Sequence, residues 1–301
     1  MSLSESAELP AVTTTDQSAV RLLPITAADL PAVAQFLHDE LDPTVPVDRW
    51  ESDIIPTWRV DQPNYGFLLR CDGAVVGAHL AFYAEREIDG VRQRFCNLAA
   101  WCVAEPYRSH ALGLLRALLR QKPYHFTDLS PSPDVLVLNT RLGFTALDTA
   151  TVVVPNLPWP MRRRGVRVFS DRRRIEGSLR GEDLSRYRDH AAAAAAQHVV
   201  IVRGAQACHV IFRRVRRKDL PLFASLVYVG NQELFRAAAP QFFRHLLLRH
   251  GIPATLIESH VVGGRFARAV EVSPRPKMYR SDSLRPDQID YLYSELTCMR
   301  W

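Results

Sequence analysis

The chain has 301 residues, of which 47% are hydrophobic and 23% are charged, and its formal net charge is +6 at pH 7. This composition excludes a disordered, a collagen-like or a coiled-coil protein, and the length fits one large domain or two smaller ones. No apolar stretch approaches the roughly 20 residues that cross a bilayer, and the polar start lacks the apolar core of a secretory signal, so neither a membrane span nor export is expected.

Two further features of the composition narrow the class of protein. The five cysteines are odd in number and widely spread, which predicts reduced thiols in a cytoplasmic protein rather than a disulfide framework or a structural zinc site. The positive charge is concentrated, since residues 162–190 hold ten arginines and five acidic residues and so contribute +5 of the net +6. This is not the profile of a protein that is basic throughout.

The first half predicts an alternation of strands and helices. Residues 1–18 lack periodicity and predict a disordered tail. The next elements are a strand at 20–25, helices at 27–41 and 47–55, and antiparallel strands at 66–70, 74–84 and 93–103. A helix at 109–120, a strand at 125–129, a helix at 133–142 and a strand at 146–154 follow. This order predicts an α/β fold, with a mixed sheet and helices on both of its faces.

The second half repeats part of this order after an arginine-rich connector at 156–190. The alanine tract 191–196 predicts a helix, because alanine has the highest helix propensity. The tract is followed by a hairpin of strands at 199–203 and 208–213, a strand at 223–229, a helix at 235–250 and a strand at 254–260. The predicted organisation is therefore two copies of one fold, at 19–155 and 191–301.

The most informative stretch runs from Cys102 to Leu114, where a strand gives way to a helix through Ser109, Ala111 and Gly113. A helix N-terminus presents unpaired N–H groups and a partial positive charge, which suit a phosphate group. Small residues let such a ligand approach the backbone closely. The alternative is a closely packed strand–turn–helix without a ligand, and the residues by themselves leave both interpretations open.

This stretch resembles the acetyl-CoA motif of the GCN5-related N-acetyltransferase superfamily, which reads Q/R-x-x-G-x-G/A after a strand. Here it reads Arg108-Ser109-His110-Ala111-Leu112-Gly113, with Ala111 at the first glycine. A second landmark, roughly N-x-x-A-x-x-L-Y-x-x-x-G-F, corresponds to residues 132–144, with Ser132 at the Asn and Asn139 at the Tyr. The resemblance covers residues 20–155 and implies the acyl-CoA N-acyltransferase fold, a mixed, mainly antiparallel sheet flanked by helices.

The resemblance implies that acetyl-CoA or another acyl-CoA is the co-substrate. Backbone N–H groups of residues 109–114 would hold the CoA pyrophosphate, and strand backbone near Val103 would pair with the pantetheine arm. The implied cofactor-binding residues are Val103, Arg108, Ser109, His110, Ala111, Leu112, Gly113, Leu114 and Ser132. An amine or hydroxyl would attack the thioester directly, with a strand N–H polarising its carbonyl.

The catalytic groups are less complete than the binding motif. The superfamily commonly supplies a Tyr as the acid for the departing thiolate, where this chain has Asn139, whose amide gives up no proton. Ser132, a water molecule or unaided departure of the thiolate would take its place. Glu105 and Asp128, each at a strand end, are the candidate bases, and a solvated turn residue is the alternative for each. His110 is expected to contact phosphate or solvent.

Three side chains of the predicted strand 93–103 are candidates for the core or the acceptor pocket. Even spacing places Cys96 and Cys102 on one face, as small core residues, and Trp101 on the other, in the core or the acceptor pocket. His245 and His250 are five residues apart on a helix rather than the four that place two ligands on one face, so the sequence predicts no metal site.

The leading prediction is an acyl-CoA-dependent acyltransferase whose acceptor is a small molecule, a glycan or a protein. The second half lacks the CoA turn and is expected to complete the acceptor cleft or to hold a homodimer together. One alternative is an inactive relative that binds CoA as a sensor or scaffold. The other is nucleic-acid binding through the arginines of 162–190. Against it stand the five acidic residues there and few aromatic residues, so no nucleic-acid partner is expected.

Overall fold

The computed structural model describes residues 20–158, 165–217, 220–264, 266 and 269–300. The tail predicted at 1–18 lies outside the described residues. In chain order, the elements of the first half are β1 (Arg21–Pro24), α1 (Leu30–Glu40), α2 (Val47–Ile54), β2 (Gly66–Cys71), β3 (Ala74–Ile88), β4 (Val91–Val103), α3 (Ala111–Arg120), β5 (His125–Asp128), α4 (Pro133–Arg141) and β6 (Thr145–Ala146).

The rest of the chain contains a second series of strands and helices. In chain order these are β7 (Thr151–Pro155), β8 (Val166–Phe169), α5 (Arg172–Ser178), α6 (Gly181–His190), β9 (Gln197–Arg203), β10 (Gln206–Arg217), β11 (Leu220–Val229), α7 (Gln232–His250), β12 (Ala254–Glu258), α8 (Ser259–Val262), β13 (Val270–Val272), β14 (Met278–Arg280) and α9 (Glu295–Cys298). The hairpin, strand, helix and strand predicted beyond residue 199 are all present.

The strands form two seven-stranded sheets with matching topology. The first sheet has the order β1-β2-β3-β4-β5-β14-β6, and the second, read in the corresponding direction, has β8-β9-β10-β11-β12-β7-β13. In each sheet the fourth and fifth strands pair in parallel, and the other neighbouring strands pair antiparallel. The predicted mixed, mainly antiparallel α/β fold in two copies is confirmed.

Two strands are exchanged between the two copies, one in each direction. β7 follows β6 in the chain but pairs with β12 and β13 in the second sheet. β14 follows β13 but pairs with β5 and β6 in the first sheet. The strand predicted over 146–154 is therefore two strands in different sheets, so the sheets do not divide at residue 155. Each sheet depends on a strand from the other half for its hydrogen bonds.

The arginine-rich connector is folded where it is described, which differs from the predicted linker. It supplies the edge strand β8 and the helices α5 and α6, which correspond in position to β1, α1 and α2 of the first copy. Several of its arginines pair with acids one helical turn away, as Arg172 does with Glu176 at 2.9 Å. Local pairing of this kind accounts for the mixture of arginines and acids in the segment.

The alanine tract forms turns instead of the predicted helix. The helix α6 ends at His190, and Ala193 and Ala195 are buried beyond it. The N–H of Ala195 donates to the carbonyl of Thr297, 3.0 Å away. Helix propensity differs by less than about 1 kcal/mol per residue between alanine and most others, and a tract this short lacks the length for a cooperative helix. Contacts with the distant C-terminal segment therefore decide its conformation.

Candidate functional site

The first sheet opens where β4 and β5 part. Their parallel pairing joins Phe95–Leu98 to His125–Asp128 and ends there, whereas β4 continues to Val103. Beyond Leu98 the strand borders a cleft of about 380 Å³, which we call the first cleft. Its walls include Ala99, Ala100, Trp101, Asp128, Ser130 and Ser132. The open strand edge provides backbone groups that an extended ligand can pair with.

A β-bulge lies in β4 at the entrance to this cleft. Ala100 has a left-handed conformation with φ of 45°, and the pairing of β3 with β4 shifts by one residue there. The extra residue reverses the faces of the strand beyond it. Cys96 and Trp101 consequently pack in one cluster, and Cys102 packs in another. The prediction that Cys96 and Cys102 share a face is wrong, because even spacing holds only in a regular strand.

Asp128 lies at the end of β5 and forms part of the first cleft, although only 7% of its surface is exposed. Its Oδ2 accepts a hydrogen bond of 2.8 Å from the side-chain amide of Asn139. Burial raises the pKa of Asp128 to about 6, against the opposing effect of hydrogen bonds from Asn139 and from the backbone of Ser130. A carboxylate with a pKa near neutrality at a cleft is suited to accept a proton from an acceptor.

Asn139 contacts the candidate base and lies behind the cleft wall. It is fully buried in α4, and its Nδ2 donates to Asp128. Its Oδ1 has no hydrogen-bond partner among the residues that the structure describes. The position that carries a Tyr in the superfamily motif therefore holds a group that positions Asp128.

A second buried carboxylate, Glu295, lies beside Asp128. It begins α9, is fully buried, and its Oε1 accepts a hydrogen bond of 2.8 Å from the hydroxyl of Ser130. Its backbone N–H donates to the side chain of Asn97, 3.0 Å away. Burial and then the charge of Asp128 raise the pKa of Glu295 to about 7. The sequence analysis missed this residue, since no local pattern links position 295 to a strand end at 128.

An imidazole and an indole ring also contribute to the first cleft. The rings of His79 and Trp101 stack with their centroids 4.8 Å apart and their planes 2° from parallel. Burial lowers the pKa of His79 to about 3, so its ring is neutral at physiological pH. His79 Nδ1 and Trp101 Nε1 are buried and lack hydrogen-bond partners within the described part of the chain. Such unpaired buried polar atoms are uncommon in folded proteins.

The predicted CoA turn follows β4 directly. It forms a 3₁₀ helix over Glu105–His110, and α3 begins at Ala111 instead of at Ser109. Pro106 at the start fixes a helical φ, which explains the early turn. The N–H of Ala111 donates to the carbonyl of Arg108, so this member of the predicted pyrophosphate-binding group is already hydrogen-bonded.

The exposed residues of the turn lie next to the open edge of β4. Arg108, Ser109 and His110 are exposed, as a phosphate site requires. Gly113 has a further reason to be a glycine, since a Cβ there would come within 3.3 Å of the side chain of Leu22. The chain thus places an accessible, basic turn immediately beyond the strand that forms the wall of the first cleft.

The remaining predicted residues divide between cleft, turn and core. Ser132 borders the first cleft and caps α4, where its hydroxyl accepts a hydrogen bond from the N–H of Val135. Val103 and Leu112 are half-buried, and Leu114 is buried in the core. The Glu105 side chain is 84% exposed, lies 3.9 Å from Arg108 and is not in the cleft wall. Of the two candidate bases, the structure brings Asp128 to the cleft.

The described residues offer neither a metal site nor a membrane-spanning helix. Among these residues, no group of three or more His, Cys, Asp or Glu side chains is arranged to hold a metal ion. In the same ranges, no helix combines the length and the apolar character that a membrane crossing requires.

Comparison with solved structures identifies the fold. A GCN5-related N-acetyltransferase from Anabaena variabilis superposes with a TM-score of 0.57 at 12% identity, over 87% of this chain and 72% of that one. A putative acetyltransferase from Pyrococcus horikoshii superposes with a TM-score of 0.54 at 14% identity, over 94% of this chain and 96% of that one. Saccharomyces cerevisiae N-myristoyltransferase with bound myristoyl-CoA superposes with a TM-score of 0.53 at 9% identity, over 97% of this chain and 86% of that one. No protein-family model and no curated protein matches the sequence.

These similarities show that the chain has the fold of the GCN5-related N-acetyltransferases, as the sequence motifs implied. Coverage of nearly the whole chain by two of the three structures means that both copies take part in the match. At identities of 9% to 14% the likeness is one of fold, and the chemistry must be argued from the cleft itself.

Proposed function

We propose that this protein is an acyl-CoA-dependent acyltransferase, most simply one that transfers acetyl from acetyl-CoA to an amine or a hydroxyl. The observation that carries the proposal is Asp128, a buried carboxylate with a raised pKa that borders the cleft between β4 and β5. The acyltransferase fold supports the same conclusion, since structures of this fold include one with bound myristoyl-CoA.

In this proposal the acyl-CoA lies along the open edge of β4. The pantetheine arm pairs with the strand beyond Leu98, and the pyrophosphate lies on the exposed turn at Arg108 and Ser109. Ala100, at the bulge, borders the cleft, and a backbone N–H of β4 there would stabilise the oxyanion that forms on the thioester. The positive end of α3 and the guanidinium of Arg108 favour the phosphate charge.

The reaction proceeds by direct attack. The acceptor nitrogen or oxygen forms a bond to the thioester carbon, and its proton passes to Asp128. The tetrahedral intermediate then collapses, the carbon–sulfur bond breaks, and CoA leaves as a thiolate that takes a proton from water. The hydroxide that remains takes the proton from Asp128 and so restores its carboxylate. Asn139 holds the Asp128 carboxylate in place through its 2.8 Å hydrogen bond. Departure without a strong acid is feasible because a free thiol has a pKa of about 8.5.

Calorimetric titration with acetyl-CoA tests the proposal first. We expect binding by the wild-type protein and affinity about tenfold lower for Arg108→Ala, since a hydrogen bond to a charged group contributes about 1.5 kcal/mol. Arg172→Ala is the matched control, because Arg172 is also an exposed arginine in a local ion pair, at 78% exposure against 71% for Arg108. Absence of binding at millimolar acetyl-CoA would refute the proposal.

Release of the CoA thiol in the presence of amine and alcohol panels tests the catalytic part. An inactive CoA-binding sensor would bind acetyl-CoA and release no thiol with any acceptor. An enzyme releases thiol in proportion to the acylated product, and mass spectrometry of the acceptor measures that product. The two outcomes separate acyl transfer from CoA binding alone.

A further inference from the structure

A separate cavity lies at the end of β4 and β5 that is remote from the first cleft. Its volume is about 420 Å³, and we call it the basic cavity. Its walls come from the start of β4, the end of α3, the start of β5 and the end of β14. β5 has only four residues, so His125 in this cavity and Asp128 in the first cleft are about 10 Å apart along the strand.

The walls of the basic cavity carry more positive than negative side chains. Its four cationic side chains are those of Arg92, Arg94, Lys122 and Arg280. Asp282 is the carboxylate in the same walls. His125 also borders the cavity, and burial lowers its pKa from the usual 6.5, so that its ring adds no charge at neutral pH.

Two of the four cations already share a counter-ion. The Glu85 carboxylate accepts hydrogen bonds from Arg94 at 3.0 Å and from Arg92 at 3.3 Å, so one negative charge serves two guanidinium groups. The C-terminal end of α3 borders the cavity at Leu119 and adds about half a negative charge. With both carboxylates and this helix end counted, the cavity keeps a net positive charge.

Arg280 and Lys122 are the two cations that lack a counter-ion. Within the described part of the chain, neither side chain takes part in an ion pair or a hydrogen bond. Arg280 is partly buried at the end of β14, opposite Phe126 of β5, whereas Lys122 is exposed. A guanidinium that is partly withdrawn from water and has no ion-pair partner costs free energy, and a bound anion would offset that cost.

A chain of hydrogen bonds orients the neutral polar groups of the same walls. Ser281 Oγ accepts from the backbone N–H groups of residues 283 and 284, so its hydroxyl donates to His125 Nδ1, 2.9 Å away. The neutral His125 ring then carries its proton on Nε2, which donates to Gln93 Oε1 at 2.9 Å. The amide NH₂ of Gln93 has no partner among the described residues. The unpaired polar groups of the two cations and of Gln93 are therefore all hydrogen-bond donors.

We propose that the basic cavity binds a small molecule with a phosphate or pyrophosphate group, whose charged partners are Arg280 and Lys122. Phosphate oxygens only accept hydrogen bonds, and a guanidinium binds two of them at once. Two unpaired cations match the double charge of a phosphate better than the single charge of a carboxylate. This site stands apart from the proposed function, since acyl transfer uses the other end of β5.

The size of the basic cavity favours a small molecule over a nucleic acid. Its volume of about 420 Å³ lies in the range of small-molecule sites, and Tyr124 adds an aromatic side chain to its walls. A nucleic-acid backbone is instead bound by cations that extend along a groove or surface. The four cations here surround one cavity, so we expect a single phosphorylated ligand.

Calorimetric titration with pyrophosphate tests the proposal. The protein is first saturated with CoA at low salt, so that the probe does not compete for the turn at Arg108. We expect one site with a Kd below about 1 mM. Absence of binding at about 10 mM pyrophosphate, with or without CoA, would overturn the proposal. The result is independent of acyl transfer, because no acceptor and no thioester are present.

Variants of Arg280 assign the binding to the basic cavity. Arg280→Gln is expected to weaken pyrophosphate binding about tenfold, because it removes a hydrogen bond between charged groups. Arg280→Lys keeps the charge and should weaken binding about threefold or less. Arg116→Gln is the control, because Arg116 is an exposed arginine on α3 outside the cavity walls. Equal weakening by Arg116→Gln and Arg280→Gln would show a diffuse attraction to the charge of the protein and overturn the proposal.

Two exposed positions keep the test decisive if the Arg280 variants do not fold. Lys122→Gln should weaken pyrophosphate binding about threefold or more, since it removes an unpaired cation. Asp282→Asn should strengthen binding about two- to threefold, since it removes the carboxylate from the same walls. Unchanged affinity in both variants would contradict the proposal. Tighter binding of a single-stranded oligonucleotide than of pyrophosphate, lost in Lys122→Gln, would show a nucleic-acid surface and overturn the choice of a small molecule.

Discussion

Replacing Asp128 by Asn removes a charge from the first cleft while keeping the size of the side chain. The new amide oxygen can still accept the hydrogen bond that Asn139 donates at 2.8 Å, so we expect the geometry of the cleft to persist. A general base contributes roughly 10²- to 10⁴-fold to such reactions. We therefore expect kcat to fall by about a thousandfold, with acetyl-CoA affinity unchanged.

The pH profile identifies the group that is lost. In the wild-type protein only the carboxylate form of Asp128 accepts a proton, so activity rises with pH through a pKa of about 6. Glu295 ionises next, with its pKa raised to about 7 by burial and by the charge of Asp128. The interacting pair titrates in two steps that belong to both groups. Asp128→Asn should titrate in a single step, that of Glu295, at a lower pKa than in the wild-type protein, because the charge of Asp128 that raises it is gone.

The same substitution should stabilise the folded protein. The pKa of Asp128 is raised from 3.8 to about 6, so its contribution to stability is present below pH 3.8 and is lost as the pH rises through about 6. One pKa unit corresponds to about 1.36 kcal/mol. The raised pKa of Asp128 therefore lowers the free energy of unfolding by about 1.5 kcal/mol at pH 5 and by about 3 kcal/mol at pH 7.5. Asp128→Asn should raise the free energy of unfolding by similar amounts.

Urea unfolding of both proteins at pH 5 and pH 7.5 measures this gain, and a steady-state assay at the same pH values measures the loss of activity. Glu87→Gln is the control, because Glu87 is an exposed carboxylate on β3 and its neutralisation should change stability by less than about 0.5 kcal/mol. A variant that is less stable at pH 7.5, or one that keeps wild-type kcat, would refute the reasoning about Asp128.

Three further predictions concern the surroundings of this carboxylate and the exchange of strands. Asn139→Ala removes a hydrogen bond that lowers the pKa of Asp128, so the acid limb of the pH–rate profile should move to higher pH, and an unmoved limb would contradict the positioning role. Glu295→Gln replaces a buried carboxyl whose pKa is raised, so the free energy of unfolding in urea should increase by about 2 kcal/mol or more at pH 7.5 and by less at pH 5. A decrease in the free energy of unfolding at both pH values would show that the fold needs the charge. Tyr279→Pro removes an N–H group from the hydrogen-bond ladder of β14, so both halves should unfold in a single transition whose free energy falls by at least about 3 kcal/mol. A second half that unfolds as in the wild-type protein would show that the exchanged strands do not couple the two halves.

Local sequence patterns determined most of the elements and one part of the site. The hairpins at Asp72-Gly73 and Asp89-Gly90 place a left-handed residue where the turn requires one. The motif around Arg108 and Gly113 marks the strand–turn–helix that follows β4. These features depend on residues that are neighbours in the chain, and the sequence therefore contains the information that predicts them.

Contacts between distant residues decided the rest. Hydrophobic alternation predicts a strand at residues 151–155, but it does not identify the strands that pair with it. In the structure β7 pairs within the second sheet and not within the first, where it was predicted. The bulge at Ala100 reverses a face through one extra residue that no composition reveals. Glu295 lies beside Asp128 because the C-terminal segment packs between the two copies. Its raised pKa, like that of Asp128, comes chiefly from burial, which only the tertiary structure creates.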